Sequence, residues 1–575
     1  MTPQTHVTAL RVILLLSVFV GAMAPTGPAR AGTITLTTSL DAITGDGLCS
    51  LREAIIAANG DRVVDACPAG NGADTIVLPA GVYPLTVAGR FEQLAATGDL
   101  DIYSNITLIG AGQDDTFIDG RVLDRVLEVR AGAVVQIDNV TLENGDADAE
   151  DGGGLHVDAS TVTLTNSRIR DSVGSSGGGI RIENGGIATL INSRLSNNTS
   201  LSGGGLYVGD YPDTAAAVVI NSLIDGNTAS GSVGGSSGGG VRSAFGGDLT
   251  LVNTTISGNS AAIHGGGIFA DNIVRLYNVT VTLNTADSDG DDNGNGGGVS
   301  ISNGSPPGFV TSRNSIISLN FDDSPTGALH TNCSGTLTGE GHNLLGSTTG
   351  CTLTGVISGD RIGSLPFLGS LQDNGGPTLT HALLFNSAAI DAGDPAGCLD
   401  QIAQLLTTDQ RGYFRPIDGD GDRNVRCDIG AFEYNSPGTP APTATLVASP
   451  APTSTASSTP TPTRTATTTT TSAPTTTPTV TSTATRTATR TATATAAVSA
   501  TATRTATAGA SLTATRTSTA TTTQPTTSPT PTRTGSTPAT STPTPSRTIT
   551  PPIATTPIPP SCSGYCLALP ELHRP

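Results

Sequence analysis

The sequence has no lysine and no tryptophan, and aromatic residues make up 3% of it. All 28 basic residues are therefore arginine, set against 47 acids for a net charge of −19. The imbalance is uneven. Residues 436–560 carry seven Arg and no acid, so the chain before residue 436 has 46 acids against 20 Arg, a balance of −26. Such a surface repels phosphate backbones and anionic lipid, which excludes nucleic acid as a partner and favours divalent cations. Long apolar runs are also lacking: the one at 12–23 is too short to cross a bilayer, so no membrane span is expected. There is no phosphate-binding glycine loop, no spacing of Ser, His and Asp that suggests a triad, and no Cys-x-x-Cys pair of a zinc ribbon.

What the chain has in abundance is periodic Asn and Gly. A unit recurs from Asn139 to Asn320, starting at Asn139, Asn166, Asn192, Asn221, Asn253, Asn278 and Asn314, with spacings of 27, 26, 29, 32, 25 and 36. A second Asn follows at Asn198, Asn227, Asn259, Asn284 and Asn320, where the first two units have Gly145 and Ser172. Triple glycines end at Gly154, Gly179, Gly205, Gly240, Gly267 and Gly298. Between them apolar residues alternate, as in Leu155-His156-Val157, Ile180-Arg181-Ile182 and Val279-Thr280-Val281, and no helical stripe is present. Short strands punctuated this regularly read as an all-β solenoid, a parallel β-helix whose coils stack about 4.8 Å apart. An Asn repeated once per coil can hydrogen-bond its copies above and below, and the glycines allow tight turns against the next coil.

The organisation follows from composition. Residues 1–31 read as a secretory signal: Arg11 precedes the apolar run, and Ala29-Arg30-Ala31 offers a small-x-small cleavage site. Residues 32–80 read as an N-terminal cap, with Ser50-Leu51-Arg52-Glu53 a capping box that opens a helix ending at Asn59-Gly60. Its apolar face of Leu51, Ala54, Ile55 and Ala58 suits the open end of a solenoid. Repeats occupy 81–322 and a C-terminal cap 323–435. A stalk at 436–560, almost all Thr, Pro, Ala and Ser, is expected to be disordered. Residues 561–575 form a short tail with a Cys loop. Four sequence-local cysteine pairs read as disulfides of an oxidising compartment: Cys49 with Cys67, Cys333 with Cys351, Cys398 with Cys427, and Cys562 with Cys566. A secreted or cell-surface monomer is expected.

At both ends of the repeats the residues resemble a known family. Cys49-Ser50-Leu51-Arg52-Glu53-Ala54-Ile55 resembles the CSLREA region of bacterial exported proteins. Asp409-Gln410-Arg411-Gly412, Arg415-Pro416 and Cys427-Asp428-Ile429-Gly430-Ala431-Phe432-Glu433-Tyr434 resemble the choice-of-anchor Q domain. The repeats are similar to those of polymorphic outer-membrane proteins. The resemblance implies a right-handed parallel β-helix of the pectin-lyase-like class and a surface or secreted location, but no defined reaction.

Three constellations could carry chemistry. Strand alternation turns the residue after each first post-glycine apolar position outward, giving a row of His156, Arg181, Tyr207, Arg242, Phe269 and Ser300. Two positions on come Asp158, Glu183, Gly209, Ala244, Asp271 and Ser302. Arg181, Glu183, Tyr207, Arg242, Phe269 and Asp271 together suit a glycan, with aromatic faces for sugar rings and Arg for carboxylates. The bland alternative is a solvated sheet face. Asp287, Asp289 and Asp291, and likewise Asp418, Asp420 and Asp422, alternate as in the first half of a calcium loop, but lack its closing Glu. Calcium is thus the one cofactor considered. Uniform repeats without a break, and without hydrolase-like Asn-Thr-Asp or Arg-Ile-Lys motifs, favour a glycan-binding or adhesion protein over an enzyme. A polysaccharide lyase or glycosidase on the same face is the alternative, and a structural surface-layer component a third.

Overall fold

The computed structural model describes residues 32–231 and 235–437. The expected signal and nearly all of the Thr/Pro-rich stalk lie outside the described residues, as does the C-terminal tail. Those described form an all-β parallel solenoid with a single α-helix, Leu51–Asn59. Each coil contributes a strand to three strips. One holds Leu127–Val129, Leu155–Asp158, Ile180–Glu183, Leu206–Val208, Val241–Ser243 and Ile268–Ala270 in parallel register. The second holds Val134–Asp138, Thr161–Thr165, Ile187–Ile191, Ala215–Ile220, Gly247–Val252 and Ile273–Tyr277. The third is eleven-stranded, and a six-stranded strip beginning at Val173–Ser176 adds a fourth side to the middle coils.

The alternating pattern explains the core. Leu155, Val157, Ile180, Ile182, Leu206 and Val208 stack inward and are fully buried, as are Val162, Leu164, Leu190 and Val219 from the second strip. One apolar residue per coil, such as Ile169, Leu195, Ile224 and Ile256, fills the space from the third. At about 25 cal/mol per Å² of apolar surface, this continuous stack is the main stabilising term.

The two asparagine series do different work. The first, Asn139 through Asn314, sits at φ between 45° and 60°, the left-handed conformation that Asn tolerates better than other side chains. The second is a buried ladder: the amide of Asn198 donates to Asn227, Asn227 to Asn259, Asn259 to Asn284 and Asn284 to Asn320, each at 2.9 Å. Ser172 continues it, its backbone N–H donating to Asn198 and its hydroxyl accepting from Gly145. The triple glycines lie against this ladder. Gly203 adopts φ +64°, while a Cβ on Gly205 would stand 2.7 Å from the carbonyl oxygen of Gly240 and 3.0 Å from Asn227.

At the N-terminal end Ser50 and Glu53 cap the helix reciprocally as expected. The helix is buried on more than its apolar face. Arg52 is fully buried, paired with Asp41 and donating to the carbonyls of Ala95, Gly98 and Asp99. Among the described residues, disulfides join Cys49–Cys67, Cys333–Cys351 and Cys398–Cys427, as the spacing suggests. The fourth expected disulfide, between Cys562 and Cys566, is not among them, because Cys562 and Cys566 both lie outside the described residues.

The C-terminal segment departs from expectation. Parallel pairing continues past residue 322 through Cys333–Glu340, Leu344–Leu345, Cys351–Val356 and Arg361–Ile362. The chain then runs back along the flank of the third strip rather than across the open end. Gln410 accepts from Thr255, His381 meets Ser257 at 2.8 Å, and Asn278 and Asn314 donate to the carbonyls of Leu399 and Asp428. Outward Thr, Ser and Asn residues of those coils give this strap its hydrogen bonds. Arg415 pairs with Glu433 at 3.1 Å with both side chains fully buried, and Arg411 pairs with Asp409. The conspicuous residues of the Asp409–Glu433 motifs are thus consumed in docking the strap.

Candidate functional site

The outward row is one continuous file. Register aligns His156, Arg181, Tyr207, Arg242, Phe269 and Ser300 on successive coils, and extends it backward through Glu128 to Asp101. The Arg181 guanidinium lies 4.2 Å from the Tyr207 ring centroid, and Arg242 sits 5.6 Å from Tyr207 and 5.2 Å from Phe269. His264 stacks on Phe269.

The file is not, however, a free solvent face. Arg181, Phe269 and Asp271 are only 6%, 8% and 5% exposed, while Glu183, Tyr207 and Arg242 are half-buried. The loops leading into each triple glycine rise beside it: Ser237, Ile263, His264 and Asn293 wall the hollow over Arg242, Phe269 and Asp271. The charged residues named from the sequence meet in pairs. Arg181 donates from Nε and Nη2 to one oxygen, Oε2 of Glu183 (2.9 and 2.7 Å), and Arg242 likewise to Oδ2 of Asp271 (3.1 and 2.7 Å), with Nη1 on Ser202 (2.7 Å). Bonding from His156, against the opposing effect of burial and with help from Arg181, holds Glu183 down at about 2. Burial works to lower the Arg181 pKa, but Asp151 and Glu183 outweigh it and the net shift is upward.

Toward its N-terminal end the file opens into a cavity of about 640 Å³ lined by Phe91, Glu92, Asp99, Arg125, Glu128, Glu150, His156 and Glu183 among others. Phe91 stands at its rim, 78% exposed. Burial, then the neighbouring Asp101 charge, pushes Asp99 up to about 8; burial raises Asp101 to about 7 although the Ala95 N–H bonds it. Burial pushes Glu128 the same way, but the bond to His156 and the charge of Arg125 overcome it and its pKa falls. Arg125 reaches Asp99 at 3.2 Å and also binds Glu150. Burial opposes a charge on His156, yet Glu128 and Glu183 win and raise it to about 9. Nε2 of His156 meets Glu183 at 3.0 Å, while Nδ1 lies 2.8 Å from Arg125 Nη1 and 3.6 Å from Glu128.

Asp287, Asp289 and Asp291 converge closely enough to share one ion, and the two oxygens of Asp287 also accept from the N–H groups of Asp291 and Asp292. Asp418 and Asp420 gather around Asp391 rather than Asp422, whose carboxylate instead accepts from Asn424 in its own turn. The cavity residues Asp99, Arg125, Glu128 and Glu150, and the buried Asp101 beside them, were not singled out from the sequence. Leu100-Asp101-Ile102 and Leu127-Glu128-Val129 share the apolar-x-apolar pattern of Leu155-His156-Val157, and that signal could have found two of them.

The family described as right handed beta helix region matches residues 153–355, in accord with the expected fold. No curated protein matches the chain at a significant level. Among solved structures, pectate lyase Pel9A is 15% identical, covering 71% of this chain and 98% of its own, with a TM-score of 0.30. An alginate lyase in complex with a trisaccharide is 12% identical over 61% and 91%, with a TM-score of 0.28. The mannuronan C-5 epimerase AlgE4 A-module of Azotobacter vinelandii is 16% identical over 56% and 95%, at 0.22. Likeness this distant gives no residue of the chain a role.

Proposed function

We propose that this chain is an exported protein of the CSLREA and choice-of-anchor Q type that binds carbohydrate at the N-terminal cavity and along the adjoining file. The carrying observation is the cavity itself: a hollow of about 640 Å³ walled almost entirely by charged and polar side chains, with the exposed ring of Phe91 at its mouth. A sugar has this duality, hydroxyls for carboxylate and guanidinium partners and a C–H face for an aromatic ring. Half-buried Tyr207 continues the file beyond the cavity, so a polymer gains avidity from successive weak contacts. Three disulfides support an oxidising, extracellular setting, and no helix among the described residues is long and apolar enough to cross a membrane.

The full chain on a glycan array tests this, with Phe91→Ala as the variant. Binding that falls roughly tenfold or more in Phe91→Ala supports the reading, since one stacked ring contributes on that order. Absence of any glycan binding, or equal binding by the variant, refutes it. A second reading, a carbohydrate-active enzyme, is favoured by one feature: His156 and Glu183, 3.0 Å apart on the same cavity, are side-chain types that transfer protons, with the Arg125 guanidinium beside them to hold an anionic group. Release of reducing ends or unsaturated uronates from a bound glycan decides for it.

A further inference from the structure

We propose that Asp99, Asp101 and Glu128 form a binding site for a hard divalent cation of the calcium type beside the cavity that Asp99 and Glu128 line. One carboxylate oxygen from each lies within 4.8 Å of the others. Oxygens sharing one calcium, each about 2.3–2.6 Å from it, can stand no farther than about 5 Å apart, so the three fit a single ion. All three carboxylates are buried, at 3%, 0% and 8% exposure.

A second observation makes this more than an acidic cluster. Asp101 is fully buried; its Oδ2 accepts from the Ala95 N–H, while its Oδ1 has no hydrogen-bond partner. Register places Asp101 directly beside Glu128 on the next coil, so both side chains leave the sheet toward the same side. A buried carboxylate oxygen left without a partner carries the full cost of its lost hydration. The nearby positive charge does not remove that cost. Arg125 lies 3.2 Å from Asp99 without a hydrogen bond between them, binds Glu150 and stands 3.9 Å from Glu128; His156 faces Glu128 at 3.6 Å, and Arg130 acts on Asp101 only through space.

The donor set chooses the ion. Three carboxylates and no thiolate favour a hard cation over zinc or copper. The ion would tie the strand Leu100–Ile102 to its neighbour Leu127–Val129 and leave coordination positions toward the cavity, which Asp99 and Glu128 line. The site stands whether or not a sugar occupies that cavity.

Calcium chloride titrated calorimetrically into the chelator-stripped full chain is the experiment, with Asp101→Asn, Glu128→Gln and the loop variant Asp289→Asn/Asp418→Asn alongside. One saturable equivalent is expected, weakened roughly tenfold or more in each of the first two variants and unchanged in the loop variant. Melting temperature without calcium provides an independent readout that needs no binding. Asp101→Asn removes a buried carboxylate crowded by two others and is expected to melt at or above wild type, while losing the upward shift that calcium gives wild type. No calcium binding, binding unchanged in Asp101→Asn, or binding lost only in the loop variant would each overturn the proposal.

Discussion

Arg181 and Tyr207 are register partners on adjacent coils, with the guanidinium carbon 4.2 Å from the ring centroid. The ring is shared, since Arg242 approaches it from the following coil at 5.6 Å. Each Arg is meanwhile held by a carboxylate of its own, so the file is a stack of neutralised cations and rings.

That arrangement sets the first expectation. Tyr207→Ala removes the surface on which two buried or half-buried guanidinium groups rest, and is expected to lower stability by about 1–2 kcal/mol, of which cation–π attraction supplies roughly half. Tyr207→Phe keeps the ring and should stay close to wild type. Calorimetric melting of the three proteins checks the order; equal loss in both variants would show that the hydroxyl, not the ring, matters.

The Asn ladder gives a second. Asn259 accepts from the backbone and amide of Asn227 and donates to Ile224, Ser257 and Asn284, all out of reach of water. Asn259→Ala strands several buried polar groups at a cost of roughly 1–3 kcal/mol each. Asn259→Ser is expected to cost less, because Ser172 already occupies a ladder position and satisfies both its neighbour and the carbonyl of Arg170. Denaturant unfolding should rank wild type above Ser above Ala.

Gly205 isolates the steric part of the triple glycine. Its added Cβ would stand 2.7 Å from a backbone oxygen that cannot retreat without opening the ladder. Gly205→Ala is expected to destabilise by about 1–3 kcal/mol, as overpacking does, while Gly45→Ala, whose Cβ meets nothing within 4 Å, is expected to be neutral. Parallel melting curves of the two variants measure the difference directly.

How far the sequence revealed this molecule depends on what each signal encodes. The fold was legible because Asn, Gly and alternating apolar residues answer to contacts with the neighbouring coil, at one repeated spacing. The outward row from His156 to Ser300 followed from strand alternation alone. Its first members, Asp101 and Glu128, escaped notice because their coils lack the triple glycine that flags the strand. The depth at which Arg181 and Phe269 lie was hidden too, since the walls beside them come from pre-glycine loops of unequal length. The strap was hidden for another reason: Thr255 with Gln410, or Ser257 with His381, are pairs whose separation no local pattern records.

His381 supplies the last expectation, on pH. Its ring is buried between the Gly369 carbonyl at Nδ1 (2.7 Å) and the Ser257 hydroxyl at Nε2 (2.8 Å). One nitrogen donates and the other accepts, which only the neutral ring can do. Burial lowers its pKa below the ordinary value, against the weaker upward pull of Gly369 and Asp225. A folded pKa below the unfolded one means that its stabilising contribution is complete above the unfolded value of about 6.5 and is lost as pH falls toward the folded one. Asp428, raised by burial and by the Glu433 charge, and Glu433, raised by burial against the pull of Arg415, act with the opposite sign and gain on acidification. The whole-protein profile therefore mixes both, and the informative quantity is a difference. His381→Gln retains the site's polarity without a titrating ring, so it is expected to be less stable than wild type at about pH 7.5 and to close that gap by about pH 5.5. Chemical denaturation at the two pH values measures it; a gap that stays constant would mean that His381 does not titrate in the strap.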